Sequence, residues 1–186
     1  MARKVMISND MILDAALRLL IREGYSNVNI KTIAAELNCS TQPIAWHFEN
    51  MDAMRTELAV FAEKYAKSKI EPAANASDSF FNMGRAYISL AVNEPKLFSY
   101  LYLGERPIAK PFTADTLTEN AGDSEMIKMM ARQTGLSCDE TVTLVRNIII
   151  YSHGLATMIA TGVLDIGEKE AIEMILGLAD RLVKTK

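Results

Sequence analysis

Apolar residues recur every three or four positions along nearly the whole chain, and no stretch alternates apolar with polar residues as a half-buried strand would. The pattern predicts an all-α protein. A first helix is expected from Ser8 or Asn9 to about Glu23, with Ile12, Ala15, Ala16, Leu19 and Leu20 on one face and Gly24 as its stop. Ile30, Ile33, Ala34 and Leu37 form a second, shorter face, and Asn29 before it is a residue type that caps helix starts. Asn38 tolerates a left-handed backbone and can turn the chain. Ser40 is then the expected cap of a third helix, with Pro43 in its first turn, where a missing N–H costs nothing. Ile44 and Phe48 fall on its inner side. Thr41, Gln42, Ala45, Trp46 and His47 are left to face outward.

Further helices follow. Asn50 can cap a long one from about Met51 to Ile70, with Met54, Leu58, Phe61 and Tyr65 in its stripe, and Pro72 is expected to close it. Helices are also expected over 77–92 and, after Asn93-Glu94-Pro95, over 96–103. Residues 104–123 are the least regular, and another helix spans 124–134. Ser137 and Glu140 stand in the reciprocal positions of a capping box and open a very apolar helix to about Thr161, which Gly162 ends. Asp165 and Glu168 give a second start signal for a last helix to about Val183. Helices this apolar must bury most of their surface, and the last two are expected to pair with their copies in a second chain.

A helix, a tight turn and a short second helix opening on small polar residues form the helix-turn-helix pattern, whose second helix enters the major groove of DNA. An ordinary αα-hairpin would show the same periodicity. Charge alone does not point to nucleic acid: the net charge of the 186 residues is −3. Residues 1–70 hold 9 Lys and Arg against 8 Asp and Glu, or +1, and residues 71–186 hold 11 against 15, or −4. DNA contact would have to be local and directed by one helix rather than by a basic surface. Cys39 and Cys138 lie far apart without metal-ligand spacing and are read as reduced and structural. No signal sequence and no apolar run of membrane length stand out, so a cytoplasmic chain without a membrane partner is expected.

The segment Asn29-Ile30-Lys31-Thr32-Ile33-Ala34, followed by Ser40, Ile44-Ala45-Trp46-His47-Phe48 and Asn50-Met51-Asp52-Ala53-Met54, resembles the TetR family of bacterial transcriptional regulators. That family shows T-v-x-x-I-A, S, l-Y-x-H-F and x-K-x-x-L at these places. Ser152-His153-Gly154-Leu155-Ala156 with Thr161-Gly162 resembles a weaker family pattern near the C-terminus. The resemblance implies a three-helix DNA-binding domain, residues 1–50, and a helical-bundle domain for ligand binding and dimerisation, residues 51–186. It implies a homodimeric repressor that a small-molecule ligand releases from double-stranded operator DNA. Two residues depart from the family: Ala45 stands where Tyr is common and Met51 where Lys is common. Both family residues usually meet phosphate, so a shallow salt dependence is expected here. The DNA contacts that remain are Lys31, Thr32, Ser40, Thr41, Gln42, Trp46, His47 and Asn50.

Candidate ligand contacts are the aromatic and methionine side chains of the middle helices: Met83, Tyr87, Phe98, Tyr102, Met126, Met130, Tyr151 and Met158. Their character suggests an apolar or amphipathic effector. The expected dimer face comprises Ile148, Leu155, Ile159, Ile172, Ile175, Leu176 and Ala179. His47 and His153 are the only histidines. No Ser/Cys-His-acid set, phosphate loop or metal cluster is apparent, so no catalytic residue, metal or cofactor is expected. A helical interaction protein whose helix-turn-helix no longer reads DNA is the other alternative, and the Ala45 and Met51 departures favour it.

Overall fold

The computed structural model describes residues 7–74, 79–104 and 124–184, and these are helical with no strand among them. The elements are α1 (Asn9–Glu23), a 3-10 turn (Tyr25–Asn27), α2 (Ile30–Glu36), α3 (Gln42–His47), α4 (Met51–Ala74), α5 (Ser79–Asn93), α6 (Pro95–Tyr102), α7 (Ser124–Thr134), α8 (Cys138–Ala160) and α9 (Glu168–Lys184). By contacts the chain divides into two compact units, Met1–Ala109 and Lys110–Lys186. The expected boundary after residue 50 falls inside the first unit.

The first unit is built around α1, which packs on α2, α4 and α6. Ile12, Ala15, Ala16, Leu19 and Leu20 are buried, as their spacing predicts. Ile33 and Ala34 of α2, Ile44 and Phe48 around α3, Met54 and Leu58 of α4, and Leu97 and Leu101 of α6 complete the core. Helix α4 runs on through Pro72 to Ala74, so Pro72 does not close it. A proline this near a helix end removes only one backbone hydrogen bond, and the last turn survives it. Where α5 gives way to α6, Pro95 occupies the first helical position after Glu94. The Glu94 carboxylate accepts from the Tyr65 hydroxyl (3.1 Å) and pairs with Lys69, which fixes this junction to α4.

The second unit packs α8 against α7 and α9. Ser137 and Glu140 form the capping box at its start, and Gly162, at φ 71°, ends α8. Leu144, Val145, Ile148, Leu155 and Ala156 form the buried face of α8, while Ile150 and Met158 stay exposed. By length and composition alone α8 is apolar enough to cross a membrane, a test that the core helix of a helical bundle also passes. Helix α9 opens after Gly167, whose carbonyl accepts from Ala171, two residues later than the expected cap at Asp165. Residues 105–123, expected to be irregular, lie outside the described residues.

Candidate nucleic-acid interface

Local chemistry sets both ends of α2 and the turn that leads into α3. The Asn29 side chain accepts from the backbone N–H of Lys31 (3.0 Å) and Thr32 (3.2 Å). The Thr32 hydroxyl accepts from the Asn29 N–H (3.1 Å) and donates to the Asn27 carbonyl (2.6 Å). At the other end Asn38 takes φ 49°, the left-handed value the turn requires. Its N–H bonds the Ala35 carbonyl and that of Cys39 bonds the Ala34 carbonyl, the paired pattern of a Schellman stop. Helix α3 then starts one residue later than expected. Thr41, not Ser40, stands in its cap position, and no side chain caps it. Pro43 in the first turn has no N–H to satisfy, so a capping side chain is less needed.

Ion pairs clamp α2 onto α1. Glu36 accepts from Arg18 (3.2 Å) and Arg22 (2.9 Å), and these two guanidinium groups hold its carboxyl below the usual carboxylate range. Arg18 also pairs with Asp14. The Asn9 amide donates to Glu57 (2.9 Å), tying the start of α1 to α4.

Seven of the eight expected DNA contacts, all but half-buried Thr32, are exposed around this scaffold. Three of the eight also serve the scaffold. Thr32 closes the cap of α2. Asn50 accepts from the Ala53 N–H (2.9 Å) and caps α4. His47 Nε2 lies 2.6 Å from the Ile7 carbonyl oxygen. Lys31, Ser40, Thr41, Gln42 and Trp46 present their side chains outward, and Trp46 is 73% exposed. The sequence reading missed the Glu36 clamp and the Ile7 contact. The acid and the arginines were visible, but their pairing needs the fold.

The expected ligand contacts divide between the units. Tyr87, Phe98 and Tyr102 come together in the first, with ring centroids 5.2, 5.1 and 5.0 Å apart. Phe98 is fully buried, and burial pushes the Tyr87 hydroxyl far above its ordinary range, so it stays protonated. Met83 lies exposed on α5. Met126, Met130, Tyr151 and Met158 belong to the second unit, where only Met130 is buried. A separate groove of about 300 Å³ there is lined by Leu136, Glu140, Leu144 and Leu182 among others, and by none of the eight.

Helix α6 carries two stripes. Phe98 and Tyr102 join the aromatic cluster. Lys96 and Tyr100 reach the end of α1 and the 3-10 turn after it: Lys96 donates to the Arg22 carbonyl (2.6 Å), and the Tyr100 ring lies 4.9 Å from that of Tyr25. Of the expected dimer residues, Ile148 and Leu155 are buried within the chain itself. Ile159, Ile172, Ile175 and Ala179 are half-buried, and Leu176 is exposed. Among the described residues no cluster of His, Cys, Asp and Glu could hold a metal, and both cysteines are free.

The family described as bacterial regulatory proteins, tetR family, matches residues 12–58, which span α1 to the first turns of α4. Over 98% of its length the chain is 21% identical to an uncharacterized HTH-type transcriptional regulator, YobS, of Bacillus subtilis (strain 168), covering 78% of that protein. The fold is similar to that of a putative transcriptional regulator from Pseudomonas aeruginosa PAO1, at a TM-score of 0.63 and 14% identity over 95% of this chain and 90% of that one. It is similar also to a TetR-like transcriptional regulator from Rhodococcus sp. RHA1, at a TM-score of 0.61 and 13% identity over the whole of both chains. The helix-turn-helix thus lies inside the segment that the tetR family model matches, and over nearly its whole length the chain has a fold similar to those of TetR-like transcriptional regulators.

Proposed function

We propose that the protein is a cytoplasmic homodimeric repressor, released from a palindromic operator by a small apolar or amphipathic ligand. Residues 1–50 supply the DNA contacts; residues 51–186 hold ligand and partner. The observation that carries the reading is α6. Its Phe98 and Tyr102 sit in the aromatic cluster, while its Lys96 and Tyr100 hold the end of α1. A ligand that enters among Tyr87, Phe98 and Tyr102 displaces α6, and α1 moves with it. Two recognition helices must stand about 34–36 Å apart to enter successive major grooves, so a shift of a few ångströms in each head weakens binding. The coupling is reciprocal: operator lowers ligand affinity by the same factor. The exposed apolar residues Ile150, Met174 and Leu176 of α8 and α9 support a face for a second copy.

The test is selection of bound duplexes from a random library by the full chain, with Gln42→Ala beside it. A palindromic site, relaxed in the variant, supports the reading. Apolar compounds are then screened for release of that duplex. Absence of any enriched sequence opposes DNA reading by this chain and favours the interaction protein.

A further inference from the structure

We infer that Trp46 and Gln42 form one reading face for A·T base pairs, the Trp46 indole packing on a thymine 5-methyl group and the Gln42 amide bonding adenine. The inference rests on α3 being the helix that enters the major groove. Gln42 and Trp46 stand four residues apart on α3 and so share a face, and both are exposed. Their separation along the helix is about 6 Å, which is within reach of the same or neighbouring base pairs.

Trp46 is 73% exposed, more than any other large apolar residue described. The fold does not need it: Ile44 and Phe48 supply the buried side of this segment. An indole has a single donor and no acceptor, and the rest of its surface is apolar. On base edges in the major groove the one apolar feature is the thymine methyl. Gln42 complements it, since an amide can bond adenine N6 and N7 together. Nearby groups are weaker rivals for this place. His47 is turned to the Ile7 carbonyl, the Thr32 hydroxyl is held in the α2 cap, and Ala45 has only a methyl group. Trp46 thus supplies the bulk absent at position 45.

The experiment uses the duplex selected by the full chain. Each thymine is replaced in turn by deoxyuridine, which removes the methyl and keeps the base pairing. Affinity is measured for the native chain, Trp46→Ala and Trp46→Phe, with melting curves as the fold control. One thymine per half-site should weaken native binding about four-fold when its methyl is removed. Trp46→Ala should be insensitive to that replacement, and Trp46→Phe, which keeps a ring but no N–H, should remain sensitive. If no methyl matters, or Trp46→Ala stays as sensitive as the native chain, the inference is overturned while DNA reading stands. If Trp46→Phe is as impaired as Trp46→Ala, the indole N–H acts on phosphate and the methyl contact is overturned. A library that yields no enriched duplex overturns DNA reading by α3 and the inference with it.

Discussion

The Nε2 atom of His47 lies 2.6 Å from the carbonyl oxygen of Ile7, so the last residue of α3 holds the chain just before α1. A carbonyl only accepts, so this nitrogen carries the hydrogen. His47 therefore positions the helix-turn-helix through a backbone contact. In His47→Ala the first turn of α1 should loosen, and the Ile12 N–H, bonded to the Ser8 carbonyl at 3.2 Å, should exchange about five-fold faster. His47→Gln retains a donor and should exchange at close to the native rate. Equal exchange in native and alanine chains would show that the contact does not hold α1.

Glu36 gives the head a dependence on acid. Its carboxyl titrates below the usual range because Arg22 and Arg18 bond it. Stability from a lowered carboxyl is present above its unfolded value and is lost as pH falls through the folded one. Glu36→Gln should thus melt at a lower temperature than the native chain at pH 7. The gap should close below about pH 4. Parallel melting curves across that range would remove Glu36 as a source of acid sensitivity.

Met51, at the first position of α4, stands where the TetR pattern that this segment resembles commonly has a lysine. Met51→Lys should tighten DNA binding at low salt. It should also steepen the slope of log affinity against log salt by about 0.9 per subunit. An unchanged slope would place the start of α4 away from phosphate.

Leu176 offers the most direct check on self-association. It is the exposed member of the expected face on α9. Leu176→Glu places a charge where a second copy would pack, and in sedimentation it should shift a dimer toward monomer at micromolar concentration. The variant should keep its helical content, since Leu176 lies outside the core of its own chain. A dimer as tight as the native one would move the interface elsewhere.

The parts of this fold written in the sequence are those set by neighbours a few residues apart. Asn29 as the cap of α2, Asn38 at φ 49° and Ser137 with Glu140 act over two to four positions, so residue type and spacing suffice to place them; Thr32, expected at DNA, closes the Asn29 cap instead. The contacts that needed the fold have distant or anonymous partners. Every residue has a carbonyl, so nothing at position 7 marks Ile7 as the partner of His47. Glu36 could have paired with many cations, and only the crossing of α1 and α2 selects Arg18 and Arg22. The aromatic cluster was half legible. Helical spacing put Tyr87, Phe98 and Tyr102 among the candidates, but it could not separate them from Met130 or Tyr151 in the other unit.

The hold of Lys96 and Tyr100 on Arg22 and Tyr25 bears on how such a regulator can be inherited in pieces. Recombination that exchanged only the first fifty residues would carry away the Tyr25 ring and leave Tyr100 with a foreign head, whereas Lys96, bonded to a backbone carbonyl, needs only a chain that follows the same path. The smallest cassette that keeps these contacts runs from α1 to Tyr102. Changes of operator preference in this lineage should therefore arise by point substitution on α3 more readily than by transplanting heads.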